Sequence, residues 1–187
     1  MGAPVKKKPK RDHKALLAGA KLPERSVDVC LRADLFAEAE GIHRELQQAE
    51  SERDAATASL ASGSESRVKA EQLQAVRDEM LDHTLTLRFR ALPRKGKRNL
   101  ALRYPPREDN LGDLAEGVNV EAMTEALIPL CLVDPVFDAE DWEAFEASTS
   151  DGQWLPIAAA VWAINNQDVE VPFSRTASRI IQTSSEG

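Results

Sequence analysis

The cleanest pattern in the chain lies at residues 83–92. Leu85, Leu87, Phe89 and Ala91 alternate with Thr84, Thr86, Arg88 and Arg90, and a two-residue repeat is that of a half-buried strand. A shorter version precedes it at 26–31, where Val27, Val29 and Leu31 alternate with Ser26, Asp28 and Cys30. Between these strands the period lengthens. Leu31, Leu35, Ala39, Ile42, Leu46 and Ala49 step by three or four and form one apolar stripe, entered at Asp34, which suits an N-cap. Residues 61–66, rich in Ser and Gly, predict a turn. A second amphipathic helix follows from about Arg67 to Leu81, with Leu73, Val76 and Met80 on one face. Two such helices predict an antiparallel hairpin that returns the chain to its base, where the flanking strands meet antiparallel.

Two strands alone are marginal, so their apolar faces must rest on helices from the C-terminal half. Pro93 suits the first turn of a basic helix reaching about Tyr104, and Pro105 and Pro106 stop it. Residues 107–118 read as a loop containing Gly and Asp. Asn119 caps a helix to about Leu132, with Met123, Ala126, Leu127 and Leu130 facing inward and Pro129 predicting a kink or an early end. Asp138 caps a helix with an acidic first turn, edged by Trp142 and Phe145. Ser150 and Gln153 have capping-box spacing and open a last helix to about Asn165. That helix is apolar nearly all round through Trp154, Leu155, Ile157, Val161, Trp162 and Ile164, with Pro156 an awkward sixth residue.

The predicted fold class is mainly α with a small two-stranded antiparallel β element: an N-terminal αα-hairpin plus a C-terminal helical bundle. Residues 1–25 read as a disordered basic arm. Residues 26–91 form strand, helical hairpin and strand. Residues 92–166 form a bundle packed on the strands as one globular unit with 26–91, and 167–187 a flexible tail.

Charge changes this picture by its segregation. The net charge of the 187 residues is −7. Residues 1–25 hold eight Lys/Arg and two Asp/Glu, net +6; 26–82 hold six and thirteen, net −7; 83–107 hold eight and none, net +8; 108–187 hold two and sixteen, net −14. Blocks so polarised can neutralise one another within a fold, between copies, or against a charged partner. The expectation is that block 83–107 contacts block 108–187. Overall negative charge disfavours nucleic acid and anionic membrane, although Arg88, Arg90, Arg94, Lys95 and Arg98 with Phe89 and Tyr104 resemble the mix used by single-strand binders. No apolar run approaches a membrane span, which needs about 18 residues.

No catalytic constellation emerges. His13, His43 and His83 lack companions at metal-ligand spacing. Cys30 and Cys131 have no C-x-x-C partner and read as buried apolar residues in a reducing compartment. The scattered glycines form no phosphate loop. No cofactor, metal or enzymatic role is expected. The candidate interaction residues are Arg88, Arg90, Arg94, Lys95, Arg98, Trp142, Phe145, Trp154 and Trp162, the three tryptophans serving either as core or as interface.

Four segments in order resemble the tail assembly chaperones of long-tailed (siphophage, actinobacteriophage-type) bacteriophages. They are PERSVDVCLRADL (23–35), HTLTLRFRALPRKGKRNLALRYPP (83–106), NVEAMTEALIPLCLVDP (119–135) and SDGQWLPIAAAVWAINNQDVEVPFSRTASR (150–179). The chain departs from the family at Gly96 or Lys97, where a Trp is common, and at Pro129 and Pro156, where family helices run on. The resemblance implies a protein that binds the tape measure protein and keeps it soluble while tail tube subunits polymerise. It also implies action in the host cell cytoplasm, absence from the mature virion and often a frameshift-extended form; contact with the tail tube protein and, through the segregated charges, self-association are further expectations. A nucleic-acid-binding accessory protein and a structural minor tail protein are the competing expectations.

Overall fold

The computed structural model describes residues 12–55 and 60–168. In chain order these form α1 (His13–Ala18), β1 (Glu24–Cys30), α2 (Asp34–Ala55), α3 (Leu60–Asp82), β2 (Thr84–Arg90), α4 (Arg94–Ala101), α5 (Leu111–Glu116), α6 (Val120–Cys131), β3 (Leu132–Asp134), α7 (Ala139–Ser148) and α8 (Asp151–Asn166). The fold is mainly helical around a three-stranded antiparallel sheet of order β1–β2–β3.

The two alternating segments pair as expected, from Glu24 opposite Arg90 to Cys30 opposite Thr84. Their inward residues Val29, Leu87 and Phe89 are buried. Their outward residues form a polar ladder: Thr86 Oγ1 donates to Asp28 Oδ1 at 2.6 Å, and Arg90 Nε donates to Glu24 Oε1 at 2.6 Å. The expectation of two strands is corrected to three. Leu132–Asp134 follows α6 directly and pairs with β2 through Phe89 opposite Leu132 and Arg88 opposite Asp134. Three residues are too few to display alternation, so in the sequence they merge with the helix before them. β2 is therefore the central strand, which explains why Leu87 and Phe89 are fully enclosed.

Four helices, α4, α6, α7 and α8, contribute to the core on the inner face of that sheet. Met123, Leu127, Ile128 and Cys131 of α6, Ile157 and Val161 of α8, Phe145 of α7 and Leu100 of α4 join Val29, Leu87 and Phe89 in one core. Burying such side chains stabilises the fold by about 1.5–3 kcal/mol each. The buried stripe of α6 runs through Thr124, Ile128 and Cys131 as well, leaving Leu130, expected inside, 54% exposed. Leu31, also expected on the inner face, lies past the end of β1 and is exposed. Pro129 and Pro156 both stay inside their helices, in positions exposed to solvent. There the carbonyls deprived of an N–H donor can turn to water.

Three of the four caps hold as read; Asp34, expected as an N-cap, is instead the first residue of α2. Asn119 Oδ1 accepts from Ala122 N–H, Asp138 and Asp141 form a reciprocal capping box, and Gln153 Oε1 accepts from Ser150 N–H at 3.0 Å. Gln153 does more than cap: its Nε2 donates to Cys30 O at 2.7 Å, tying the start of α8 to the end of β1. At the other end of α8, Asn165 Oδ1 accepts from Leu92 N–H at 2.9 Å.

α2 and α3 pack chiefly on each other. Leu35, Leu73 and Val76 are buried in their seam, with Ala39, Ile42, Leu46, Ala49 and Met80 half-buried. Lys69 Nζ meets Glu45 Oε2 at 2.6 Å across it, and Arg32 bridges Asp34 and Glu79 at the base. The turn expected at 61–66 is instead helical, because α3 begins at Leu60. One Gly in a helix costs about 1 kcal/mol, and Ser is well tolerated in a first turn, so a 23-residue helix seamed to α2 through Leu73 and Val76 absorbs both.

The N-terminal boundary also differs from the reading. Of the basic arm, residues 1–11 lie outside the described residues, but His13–Ala18 is helical and β1 begins at Glu24. Of the expected tail, residues 169–187 lie outside them too. Among the described residues no helix is long and apolar enough to cross a membrane.

Candidate functional site

The basic candidates separate into three environments. Arg88 and Arg90 stand on the outer face of the sheet beside Glu24, at 3.5 and 2.6 Å, and Arg88 lies 3.8 Å from Asp134. The hydrogen bond from Arg90 holds the Glu24 carboxyl below its ordinary pKa. Their main partner is thus a carboxylate of β1 rather than of the C-terminal acidic block. Arg94, Lys95 and Arg98 are exposed on α4 and make no ion pair among the described residues. Their neighbour Lys97 is engaged, donating to Asn165 O at 2.9 Å and to Asn166 Oδ1.

Arg107, the last cation of the block, is locked in place. Its Nε donates to Asp113 Oδ2 at 2.6 Å and its Nη1 to Glu121 Oε2 at 3.0 Å. Asp113, 1% exposed, also accepts from the N–H groups of Arg107 and Val120, each at 3.2 Å. The Arg107 hydrogen bond, against the effect of burial, brings the Asp113 carboxyl down to about 2. A carboxylate so depressed stays ionised near neutrality and serves structure rather than proton transfer. It fixes α5, a helix the loop reading missed. The signal was present: Asn110 Oδ1 accepts from Gly112 and Asp113 N–H, and Gly117 ends the helix at φ 74°, a left-handed position that favours glycine.

The aromatic candidates gather at α7 and α8. Trp142, Phe145 and Phe137 contact one another with ring centroids 5.0–6.1 Å apart, and Trp154 lies 5.9 Å from Phe145. Phe145 is in the core, whereas Trp142, Trp154 and Trp162 are half-buried. Their partly open faces line two adjoining clefts. The larger, about 710 Å³, runs between α5, α6 and α8. Val120, Ile128, Trp154, Leu155, Ala158 and Trp162 supply its apolar surface, and Glu116, Glu121, Glu125 and Asp151 its acidic side chains. The second, about 660 Å³, shares Glu125, Asp151 and Trp154 with the first and adds Trp142 and Glu146. Leu155 is 69% exposed. Volumes of this order suit side chains of a docked segment.

This arrangement can receive an apolar face flanked by positive charge. Among the described residues no group of three or more His, Cys, Asp or Glu could hold a metal ion. Both cysteines are free; burial pushes the Cys131 thiol up, away from the reactive thiolate. The acidic rim is what residue-by-residue reading overlooked. Glu121 and Glu125 are four apart, as are Val120, Thr124 and Ile128, so α6 presents an acidic row beside an uncharged one ending in Val120 and Ile128. No family model, curated protein or solved structure matches the chain.

Proposed function

We propose that the chain is a tail assembly chaperone of the siphophage type. It binds helices of the tape measure protein in the host cytoplasm, keeps that protein soluble while tail tube subunits assemble around it, and leaves before the virion is complete. The single observation carrying the binding part of this reading is the acidic-sided, tryptophan-lined cleft between α5, α6 and α8. Half-buried Trp beside exposed Leu155 suits an interface anchor better than a sealed core. The phage assignment rests on the four ordered segments between residues 23 and 179.

Co-expression with a long helical tape measure protein tests the reading. The wild type should raise the soluble fraction of that protein and co-purify with it, and Leu155→Glu should abolish both. Leu155 is exposed, so the variant should retain its fold. An insoluble partner in the presence of wild type, or an undiminished complex with the variant, removes the proposal.

A second reading draws on Arg94, Lys95 and Arg98, whose charges are left open on α4. A nucleic-acid accessory role would use them, and it requires binding that weakens steeply with salt. Binding that is absent, or indifferent to salt, eliminates it.

A further inference from the structure

The described N-terminal segment is a poor match for the body that carries it. α1 has no buried residue, and Leu16 and Leu17 are 58% and 72% exposed. Isolated helices of six residues are not stable in water, so two adjacent exposed leucines on one mark a segment that gains by packing elsewhere. Its flanks are cationic: Lys14 and Lys21 lie within or just beyond it, and Lys6, Lys7, Lys8, Lys10 and Arg11 precede it in sequence.

The cleft between α5, α6 and α8 has the complementary character. Its apolar surface includes exposed Leu155 and half-buried Trp154 and Trp162, and Glu116, Glu125 and Asp151 form no ion pair among the described residues. Glu121 is already held by Arg107. Two leucines on a helix with cationic flanks in sequence match an apolar floor, and those lysines match three carboxylates that form no ion pair among the described residues. Desolvating the leucines supplies affinity, and the charges fix orientation and exclude acidic segments.

We infer that α1 of one copy, with its basic flanks, docks in the α5–α6–α8 cleft of a second copy. The contact is head-to-tail, since donor helix and acceptor cleft are different surfaces. Repeated, it builds a ring or a filament; exchanged between two copies, it closes a dimer. The inference rests on the cleft accepting a helix, as in the proposed function. It adds that the chain's own basic helix fills the cleft until a partner displaces it.

Complementation between two full-length variants tests it. Leu16→Glu with Leu17→Glu destroys the donor and leaves the cleft. Glu116→Lys with Glu125→Lys destroys the cleft and leaves the donor. All four positions are exposed, and circular dichroism and thermal melting confirm that both variants fold. By light scattering, the wild type should show a mass above that of one chain. Each variant alone should give the mass of one chain, and their equimolar mixture twice that mass. A monomeric wild type, a donor or cleft variant that associates like wild type, or a mixture that stays monomeric overturns the inference. Partner binding by the Leu16→Glu, Leu17→Glu variant, whose cleft is intact, reads the proposed function separately. Loss there with complementation intact would remove the chaperone reading and leave the self-association standing.

Discussion

Arg107 holds Asp113 with two different groups: its guanidinium Nε lies 2.6 Å from Oδ2, and its backbone N–H lies 3.2 Å from the same oxygen. One residue thereby pins both the end of the basic block and the start of the acidic one. The expected contact between those blocks is seen here and at Arg88–Asp134, within one chain.

The pair sets a pH window. Asp113 has a carboxyl at about 2 in the folded protein against an ordinary 3.8. The unfolded chain therefore takes up this proton first as pH falls, so the stabilisation is complete above about pH 4, fades between about 4 and 2, and is gone below. Urea midpoints measured at about pH 5 and about pH 2.5 should fall further for wild type than for Asp113→Asn. Equal falls would show that the pair does not contribute.

The central strand should carry the largest single-residue effects. Leu87 and Phe89 are 0% exposed, and truncating either to Ala should cost about 2–5 kcal/mol. Val68, 52% exposed on α3, should tolerate Ala within about 0.5 kcal/mol. Denaturant midpoints of the three variants check the order.

Gln153 joins a helix cap to a strand end, so its loss should exceed that of a cap alone. Gln153→Ala removes the acceptor for Ser150 N–H and the donor to Cys30 O. The expected destabilisation is about 1–3 kcal/mol. Amide exchange should quicken at the start of α8, and a change confined to global stability without that local signature would contradict the role.

Reversal of Arg94, Lys95 and Arg98 to Glu should leave folding stability within about 1 kcal/mol, because none forms an ion pair among the described residues. An effect on self-association mass or on partner binding would show that α4 is itself a contact surface. A loss of folding would reveal a structural duty for these charges.

Periodicity exposed whatever repeats, and missed what is short or irregular. Leu85 through Ala91 and Leu35 through Ala49 declare their elements because packing against one surface imposes one period. β3 and α5 are three and six residues long. β3 depends on a distant partner, Phe89 for Leu132, and α5 on its own caps and the ion pair of Arg107 with Asp113 six residues on. The Ser-rich stretch at 61–66, with its one Gly, misled for a related reason: it continues into a long helix anchored further on at Leu73 and Val76, and propensity is a weak guide that such a context overrides. Among the site residues, the tryptophans were conspicuous by type. The carboxylates around them were not, since acidic residues are common along the whole C-terminal half and only the fold selects Glu116, Glu125 and Asp151.

Cys30 and Thr84 are opposite partners at the last rung between β1 and β2, so the sheet treats everything between them as one oversized connection. The coiled pair that fills it is an attachment, with its length set independently of strand register. Adding a turn to each helix would lengthen its reach by about 5.4 Å without moving a core side chain. Variation among such chains is therefore best tolerated at the far tip of this outgrowth, where reach can be tuned while the cleft stays the same.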